Sequence, residues 1–324
     1  MKVVEKIEKK QVAEFYRQML LIRRFEEKAA EMYMRGKIRG FLHLYIGEEA
    51  IAVGAISVLK PEDYIVTHYR DHGHAIARGM DPKVIMAELF GKATGSSKGK
   101  GGSMHLFDAS KNFLGGYAIV GAQLPIAVGL ALASRQLQNG RVVLCFFGEG
   151  AVNEGEFHES MNLASLWKLP IVFFLENNLY GMGTHIDNTH AGGRDVYKAV
   201  GDYNMASHRV DGMDVMAVHE ATLEAVDGVR SGEGPFFLEA LTYRFRGHSM
   251  ADPINYRDKA EEAEWRRKDP IDSLKRWALE EGVLTKNYVE TIEEGVEKEL
   301  QAAVEFADQS PDPPLDSLMQ DVYA

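Results

Sequence analysis

Strands alternating with helices point to an α/β fold, a doubly wound and mostly parallel sheet. Three features carry that reading. Two largely apolar runs, VVLCFF (142–147) and IVFFLE (171–176), have the composition of strands buried on both faces. A helical stretch, GEFHESMNLASLWK, joins them. Each run stops at a polar turn, Gly148-Glu149-Gly150 after the first and Asn177-Asn178 after the second. In open parallel sheets, ligands sit beyond such carboxyl ends.

The remaining elements follow in order. Val12, Phe15, Met19, Ile22, Phe25, Ala29 and Met32 recur at three- and four-residue steps, which predicts one long amphipathic helix. Gly47 to Leu59 reads as a second helix. Tyr64 to Thr67 is a short strand that ends at the polar run HYRDHG. Asp81-Pro82 opens a helix to about Phe90, with Asp as N-cap and Pro in the first turn. The stretch from Gly91 to Gln123 is glycine-rich and long for a loop inside a compact domain, so a functional loop is expected there. It is not a P-loop, because no GxxxxGK[ST] spacing fits and it follows a helix. Gly121 to Gln138 is apolar nearly all round and predicts a buried helix. Ser207 to Val210 reads as a strand, Asp214 to Val229 as a helix, and Pro235 to Tyr243 as a strand. Two or three charged helices span about Ile271 to Ala307, followed by an extended, exposed tail, SPDPPLDS.

Bulk composition excludes several classes. The chain has 324 residues and a formal charge of −11 with no basic block, so nucleic-acid binding is not expected. The single cysteine, Cys145, lies inside an apolar strand and reads as a small core hydrophobe. That usage fits a reducing cytoplasm. No apolar run reaches the length of a membrane span. The opening MKVVEKIEKK mixes Lys with Glu, unlike a signal or transit peptide.

The two polar strand ends predict a metal-diphosphate site. A right-handed crossover brings both strands into one sheet pointing the same way, so Glu149 and Asn178 emerge on one edge. Gly148 and Gly150 let the backbone turn and approach a ligand. A helix N-terminus near Val152 offers free N–H groups to an anion. Carboxylate, amide and carbonyl oxygens suit magnesium or calcium. Tyr69-Arg70 and the run from Arg244 to His248 also follow predicted strands. Arg70 and Arg244 suit phosphate oxygens, and His72 and His248 can donate to phosphate or move protons. A nicotinamide-binding Rossmann reading fails, because GEGAVNEG does not fit GxGxxG.

Gly148-Glu149-Gly150 followed by Asn177-Asn178 resembles the thiamin diphosphate fingerprint, Gly-Asp-Gly then Asn-Asn. The resemblance extends through HLYIGEEA (43–50), THYRDHG (67–73), KGKGGSMH (98–105), IVGAQLP (119–125), NLASLWKLP (162–170), ENNLYGMGT (176–184), RVDGMD (209–214) and YRFRGHSMADP (243–253). Nearly the whole chain is similar to the alpha subunits of the thiamin diphosphate-dependent 2-oxo acid dehydrogenase family, those of the pyruvate-decarboxylating first component above all. The resemblance implies a thiamin diphosphate-binding fold with N-terminal and C-terminal helical additions. Residues 1–60 would be helices packed on the core, 61–269 the cofactor-binding α/β part and 270–324 terminal helices and tail, all one continuous domain. It implies magnesium held by Glu149, Asn178 and the Tyr180 carbonyl. Tyr69, Arg70, Gly148, Gly150, Ala151, Arg244 and His248 would surround the diphosphate. Ala118 and Val120 would approach the pyrimidine side through backbone groups. His72 and His248 would be the catalytic histidines, in mobile loops beside the site. In this family the His248–Ser249 loop orders with the cofactor, and its serine is phosphorylated in mitochondrial relatives.

Three departures stand out. Glu149 replaces the family's Asp, adding a methylene to a metal ligand. His185 stands where mitochondrial relatives carry a second phosphorylated serine, which argues against kinase control. Arg246 replaces His and adds a charge near the phosphate site.

Thiamin diphosphate carries the hard chemistry itself. Activating it takes a glutamate against the aminopyrimidine ring, and no motif in the chain supplies one. Glu48-Glu49 opens a helix, where the dipole favours acids anyway. A separate beta subunit is therefore expected to complete the site in an α2β2 heterotetramer. The acetyl group would pass to the lipoyl domain of a partner acyltransferase. VGAQLP and YGMGT favour pyruvate; alternatives are an acetoin or branched-chain 2-oxo acid dehydrogenase, or a non-catalytic subunit that kept the fold.

Overall fold

A computed structural model describes residues 8–321. The opening residues 1–7, on which the reading of the N-terminus partly rests, lie outside the described residues. The strands are β1 (Tyr64–His68), β2 (Phe113–Tyr117), β3 (Val143–Gly148), β4 (Ile171–Asn177), a minimal hairpin of β5 (Tyr180–Gly181) and β6 (Thr184–His185), β7 (Ala206–Asp211) and β8 (Phe236–Leu241). All but the hairpin join one six-stranded sheet in the order β2-β1-β3-β4-β8-β7. Every pairing in it is parallel.

The helices are α1 (Lys9–Met34), α2 (Glu49–Ile56), α3 (His72–Ala77), α4 (Pro82–Leu89), α5 (Gln123–Leu137), α6 (Gly155–Leu166), α7 (Val215–Ser231), α8 (Lys259–Arg266), α9 (Pro270–Glu280) and α10 (Lys286–Gln309). Neighbouring residues of a strand face opposite sides of a sheet. Phe146 of β3 meets His74 of α3 with ring centroids 4.4 Å apart, while Phe147 packs on Phe157 of α6 at 6.1 Å. So α3 and α6 cover opposite faces, and the sheet is wound on both. Helix α5 lies beside α6; α2 lies beside α3 and α7; α1 and α10 form an outer layer, with α10 also against α4. Both β3 and β4 are buried almost throughout. Cys145 is buried in β3, and burial pushes its thiol well above the usual range. Among the described residues, no helix is long and apolar enough to cross a membrane.

The predicted amphipathic pattern of α1 is realised, with Val12, Phe15, Met19, Ile22, Phe25, Ala29 and Met32 all buried. Asp81 caps α4 by accepting the Lys83 N–H at 2.9 Å. Four elements differ from expectation. The polar run after β1 is not a loop throughout, since α3 begins at His72. Helix α8 precedes the expected C-terminal helices. The glycine-rich stretch contains edge strand β2, which β-propensity disguises. Its glycines are there for contact: a Cβ on Gly115 would sit 2.0 Å from the Phe107 ring, and one on Gly116 would sit 2.1 Å from Asp71 Oδ2. Finally, α5 is not buried all round. Pro125, Ile126, Gly129 and Ala133 form an open apolar face.

The rest of the glycine-rich stretch folds around one carboxylate. Glu88, buried at the end of α4, accepts backbone N–H groups from Ser97 (2.8 Å) and Gly99 (2.9 Å) on Oε2, and from Gly101 (2.8 Å) and Gly102 (3.0 Å) on Oε1. Glu88→Ala leaves four donors without their acceptor. We expect a loss of about 3 kcal/mol in denaturant unfolding, with earlier proteolytic cleavage between residues 95 and 102. Unchanged stability and cleavage would show that solvent replaces the carboxylate.

Candidate active site

The sheet order reverses at β1, with β2 on one side and β3 on the other. Such switch points open crevices at the carboxyl edge of a sheet. A cavity of about 460 Å3 lies there, over the ends of β1, β3, β4 and β8. Tyr69 and Arg70 enter it after β1, Gly148 to Ala151 after β3, Asn178 and Tyr180 after β4, and Arg244 and His248 after β8. Val120 lines it from the loop before α5. The sequence thus singled out half of the wall, eleven of its twenty-two residues.

Two residues singled out from the sequence are not brought to the cavity. Ala118 lies in the loop just past β2, outside the lining. His72 is the first residue of α3, fully buried, and not in a mobile loop. Its Nδ1 bonds Glu26 at 2.9 Å and its Nε2 bonds Ser103 Oγ at 3.0 Å. Burial alone would lower its pKa, but the Glu26 carboxylate raises it. His72 is a core histidine tying α1 to α3.

The turn after β4 is built from local hydrogen bonds. Asn177 Oδ1 accepts the Leu179 N–H (3.1 Å) and Asn178 Oδ1 accepts the Tyr180 N–H (3.2 Å). Leu179 is forced to φ +73°, a left-handed conformation that costs a leucine about 1 kcal/mol. Glu149 Oε2 accepts the Asn178 N–H at 3.2 Å, and a Cβ on Gly181 would sit 3.8 Å from Glu149 Oε1. The carboxylate therefore faces both Asn178 and the turn at Tyr180–Gly181. After β3 the chain makes a 3-10 turn, Glu149–Asn153, so the α-helix begins at Gly155 and not near Val152. Neither Gly148 nor Gly150 has positive φ, and a Cβ on either would meet nothing within 4 Å. These glycines leave room for a ligand; the turn itself does not require them.

The arginines differ in freedom. Arg70 is buried and spends its guanidinium on carbonyls, Nη1 to Leu44 (2.9 Å) and Nη2 to His248 (2.8 Å). It braces the loop that carries His248. Arg244 donates from Nη1 to Asn178 Oδ1 at 3.5 Å, while its buried Nη2 has no partner. Glu48 Oε2 and His248 Nδ1 are likewise buried without partners. Unpaired buried polar atoms of both signs around one cavity are what a ligand with anionic and cationic parts would satisfy.

Charge in the cavity is tuned by burial. Burial pushes the Glu149 carboxyl up to about 7, with its own backbone amide and Arg244 pulling the other way. A divalent cation beside Glu149, near the second buried carboxylate Glu48, would favour its ionised form. Burial and the Arg70 charge bring His248 down to about 3, so it is neutral near pH 7. His43 packs at a tilt against Tyr69 and edge-on against His248, with centroids 4.7 and 5.2 Å away, and burial next to Arg70 brings it down to about 2.

Several lining residues escaped sequence reasoning: Glu48, His68, Gln123, Glu154 and Glu176. Glu48 had a signal that was misread. It stands at the N-cap of α2, but its side chain makes no cap bond; Oε1 instead accepts from Asn178 Nδ2 at 3.0 Å. His68 and Glu176 close predicted strands, and pattern alone does not say where a strand-end side chain turns.

Comparison with known proteins gives one consistent match. The family model "Dehydrogenase E1 component" matches residues 17–316. The pyruvate dehydrogenase E1 component subunit alpha of Rhizobium meliloti is 47% identical over 308 residues, 95% of this chain and 88% of that protein. The subunit of the same name from Zymomonas mobilis is 45% identical, covering 94% of this chain and 86% of its own length. A chloroplastic alpha-3 subunit from Oryza sativa is 43% identical over 98% of this chain and 77% of its own length.

The neutral His43 has a measurable consequence. Its folded pKa lies below the unfolded value of 6.5, so the unfolded chain binds the extra proton as pH falls. Its contribution is therefore lost below pH 6.5, by about 2 kcal/mol at pH 5 relative to pH 8. Glu149 acts in the opposite sense over the same range, so the comparison must be made against His43→Asn. Urea unfolding at pH 8 and pH 5 should shift the gap between the two proteins by that amount in the variant's favour. An unchanged gap would mean that His43 is protonated in place.

Proposed function

Because the chain belongs to the dehydrogenase E1 component family, we propose that it is the alpha subunit of a thiamin diphosphate-dependent 2-oxo acid dehydrogenase, decarboxylating pyruvate and passing the acetyl group to a lipoyl domain. The observation that carries this reading is one cavity lined by Arg244, Glu48 and His248, each with a buried polar atom left unpartnered (Nη2, Oε2 and Nδ1), and by Glu149 and Asn178. The residues fit the cofactor. Glu149, Asn178 and the Tyr180 carbonyl would hold magnesium, and Arg244, His248 and Tyr69 would hold the diphosphate. The bound cofactor supplies the electron sink for breaking the carbon–carbon bond.

The chain's own work is binding and placement. Arg244 Nη2 offers its N–H to a phosphate oxygen without first breaking another bond. A neutral His248 can donate one N–H there while adding no charge that the buried arginines would repel. Arg70, tied to the His248 carbonyl, keeps that loop over the cavity. Glu48 is held by Asn178 and lies 3.8 Å from Arg70, on the metal and diphosphate side. The aminopyrimidine glutamate is therefore left to a partner.

The surface supports that partner. Met182 (64% exposed) lines the cavity, Ile119 (73% exposed) adjoins the lining residue Val120, and α5, whose Gln123 lines the cavity, carries the open apolar face. Patches of this kind at a site call for a covering chain that excludes water. We assign this to a beta subunit in an α2β2 assembly, working in the cytoplasm with a lipoyl acyltransferase.

Reconstitution with the beta partner, followed by turnover of pyruvate, acetoin and 2-oxoisovalerate, tests the substrate. Pyruvate should be preferred; preference for acetoin would overturn the assignment. In the same assay Glu149→Ala should abolish cofactor-dependent activity while circular dichroism stays unchanged, and Glu149→Asp should retain it. Activity surviving in the alanine variant would put the metal elsewhere.

A further inference from the structure

Glu176 is a buried carboxylate that the proposed metal and diphosphate contacts leave unused. It is the sixth residue of β4, two before Asn178, and is 1% exposed. Three donors meet it. The Tyr45 hydroxyl and His74 Nε2 (2.9 Å) reach Oε1, and His68 Nε2 reaches Oε2. Burial alone would raise this carboxyl, but the two imidazoles hold it well below the usual range.

His68 is the last residue of β1 and precedes Tyr69. Its Nδ1 accepts the Arg70 N–H at 3.0 Å. A neutral imidazole that accepts on Nδ1 carries its proton on Nε2, so His68 donates to Glu176. The ring is thus fixed at both nitrogens, one to the backbone that presents Arg70 and one to β4. On the other side of the carboxylate, His74 Nδ1 lies 3.4 Å from Thr67 Oγ1 of β1.

The ligand atoms of His68, His74 and Glu176 all lie within 4.8 Å of one another, a spacing that a metal could use. The hydrogen bonds argue otherwise. With Nδ1 engaged by the Arg70 N–H, His68 could offer Nε2 to a metal only as an imidazolate. Three protein donors already satisfy the carboxylate.

Strand β3 separates β1 from β4, a gap of roughly 10 Å at about 4.8 Å per strand. The Glu176–His68 contact spans it on the edge where the site residues leave the sheet. We infer that Glu176 and His68 are a positioning pair, which fixes Tyr69 and Arg70 at the end of β1 relative to Asn178 at the end of β4 and so sets cofactor affinity. The inference rests on reading the cavity as a thiamin diphosphate site.

Glu176→Gln keeps the size but turns an amide N–H2 toward one of the three donors. His68→Gln acts at the less buried end of the pair and remains informative if the first variant fails to fold. Thiamin diphosphate is titrated calorimetrically, with magnesium, into the assembled alpha–beta complex. His68→Gln should raise Kd at least tenfold and change Kd by a larger factor than kcat. Glu176→Gln should raise Kd further, and the double variant should bind no more weakly than Glu176→Gln alone. If the wild type binds and His68→Gln binds equally well, with only a lower Tm, the pair is merely structural and the inference is overturned. If the wild type itself does not bind, the cofactor reading falls and this inference with it.

Discussion

Strands buried on both faces of a sheet leave their polar residues one outlet, the strand ends. Everything chemical in this chain follows from that constraint. The cores of β3 and β4 are apolar from Val143 to Phe147 and from Ile171 to Leu175, and they are buried throughout. Glu149, Glu176, Asn177 and Asn178 come only where these strands stop. Because the pairing is parallel and in register, with Gly148 opposite Glu176 and Glu176 opposite Ala240, the ends of β3, β4 and β8 fall level. A cavity with converging side chains is the consequence.

The charges gathered there fall into two sets. Glu176 is met by three protein donors and Arg70 is tied to two backbone carbonyls, and together they give the edge its rigidity. Arg244 Nη2, Glu48 Oε2 and His248 Nδ1 are not. A buried donor or acceptor without a partner costs about 1–3 kcal/mol. Such a cost is borne in the folded chain where a ligand is to meet it, and it makes the site less stable alone than when loaded. Burial that keeps His43 and His248 neutral limits repulsion among groups already crowded by two arginines.

Long periodic and apolar segments were legible in the sequence, because burial writes a pattern over many residues. Helix α1, the β3-α6-β4 unit and the Asp81 cap are of this kind. Short elements were not. In α3, His72 and His74 in HGHAIA look like loop polarity, yet both are buried against Glu26 and Glu176. Strand β2 has two glycines among its five residues, since the Phe107 ring and Asp71 press on its backbone. The site was legible where a residue type announces its chemistry, as with Glu149, Asn178 and Arg244. It was obscure where the decisive fact was a side-chain direction, as with Glu48 turning into the cavity, His72 turning into the core, or His68 turning across to β4. The open face of α5 was misread for a different reason: apolar residues mark burial, but not whether the same chain supplies the cover.

The most direct test is a crystal structure of the alpha–beta complex with thiamin diphosphate and magnesium. The account predicts the metal on Glu149, Asn178 and the Tyr180 carbonyl, and the diphosphate against Arg244 and His248. The beta subunit should lie over Ile119 and Met182. Cofactor bound away from the carboxyl ends of β3 and β4, or a metal that leaves Glu149 uncoordinated, would contradict it.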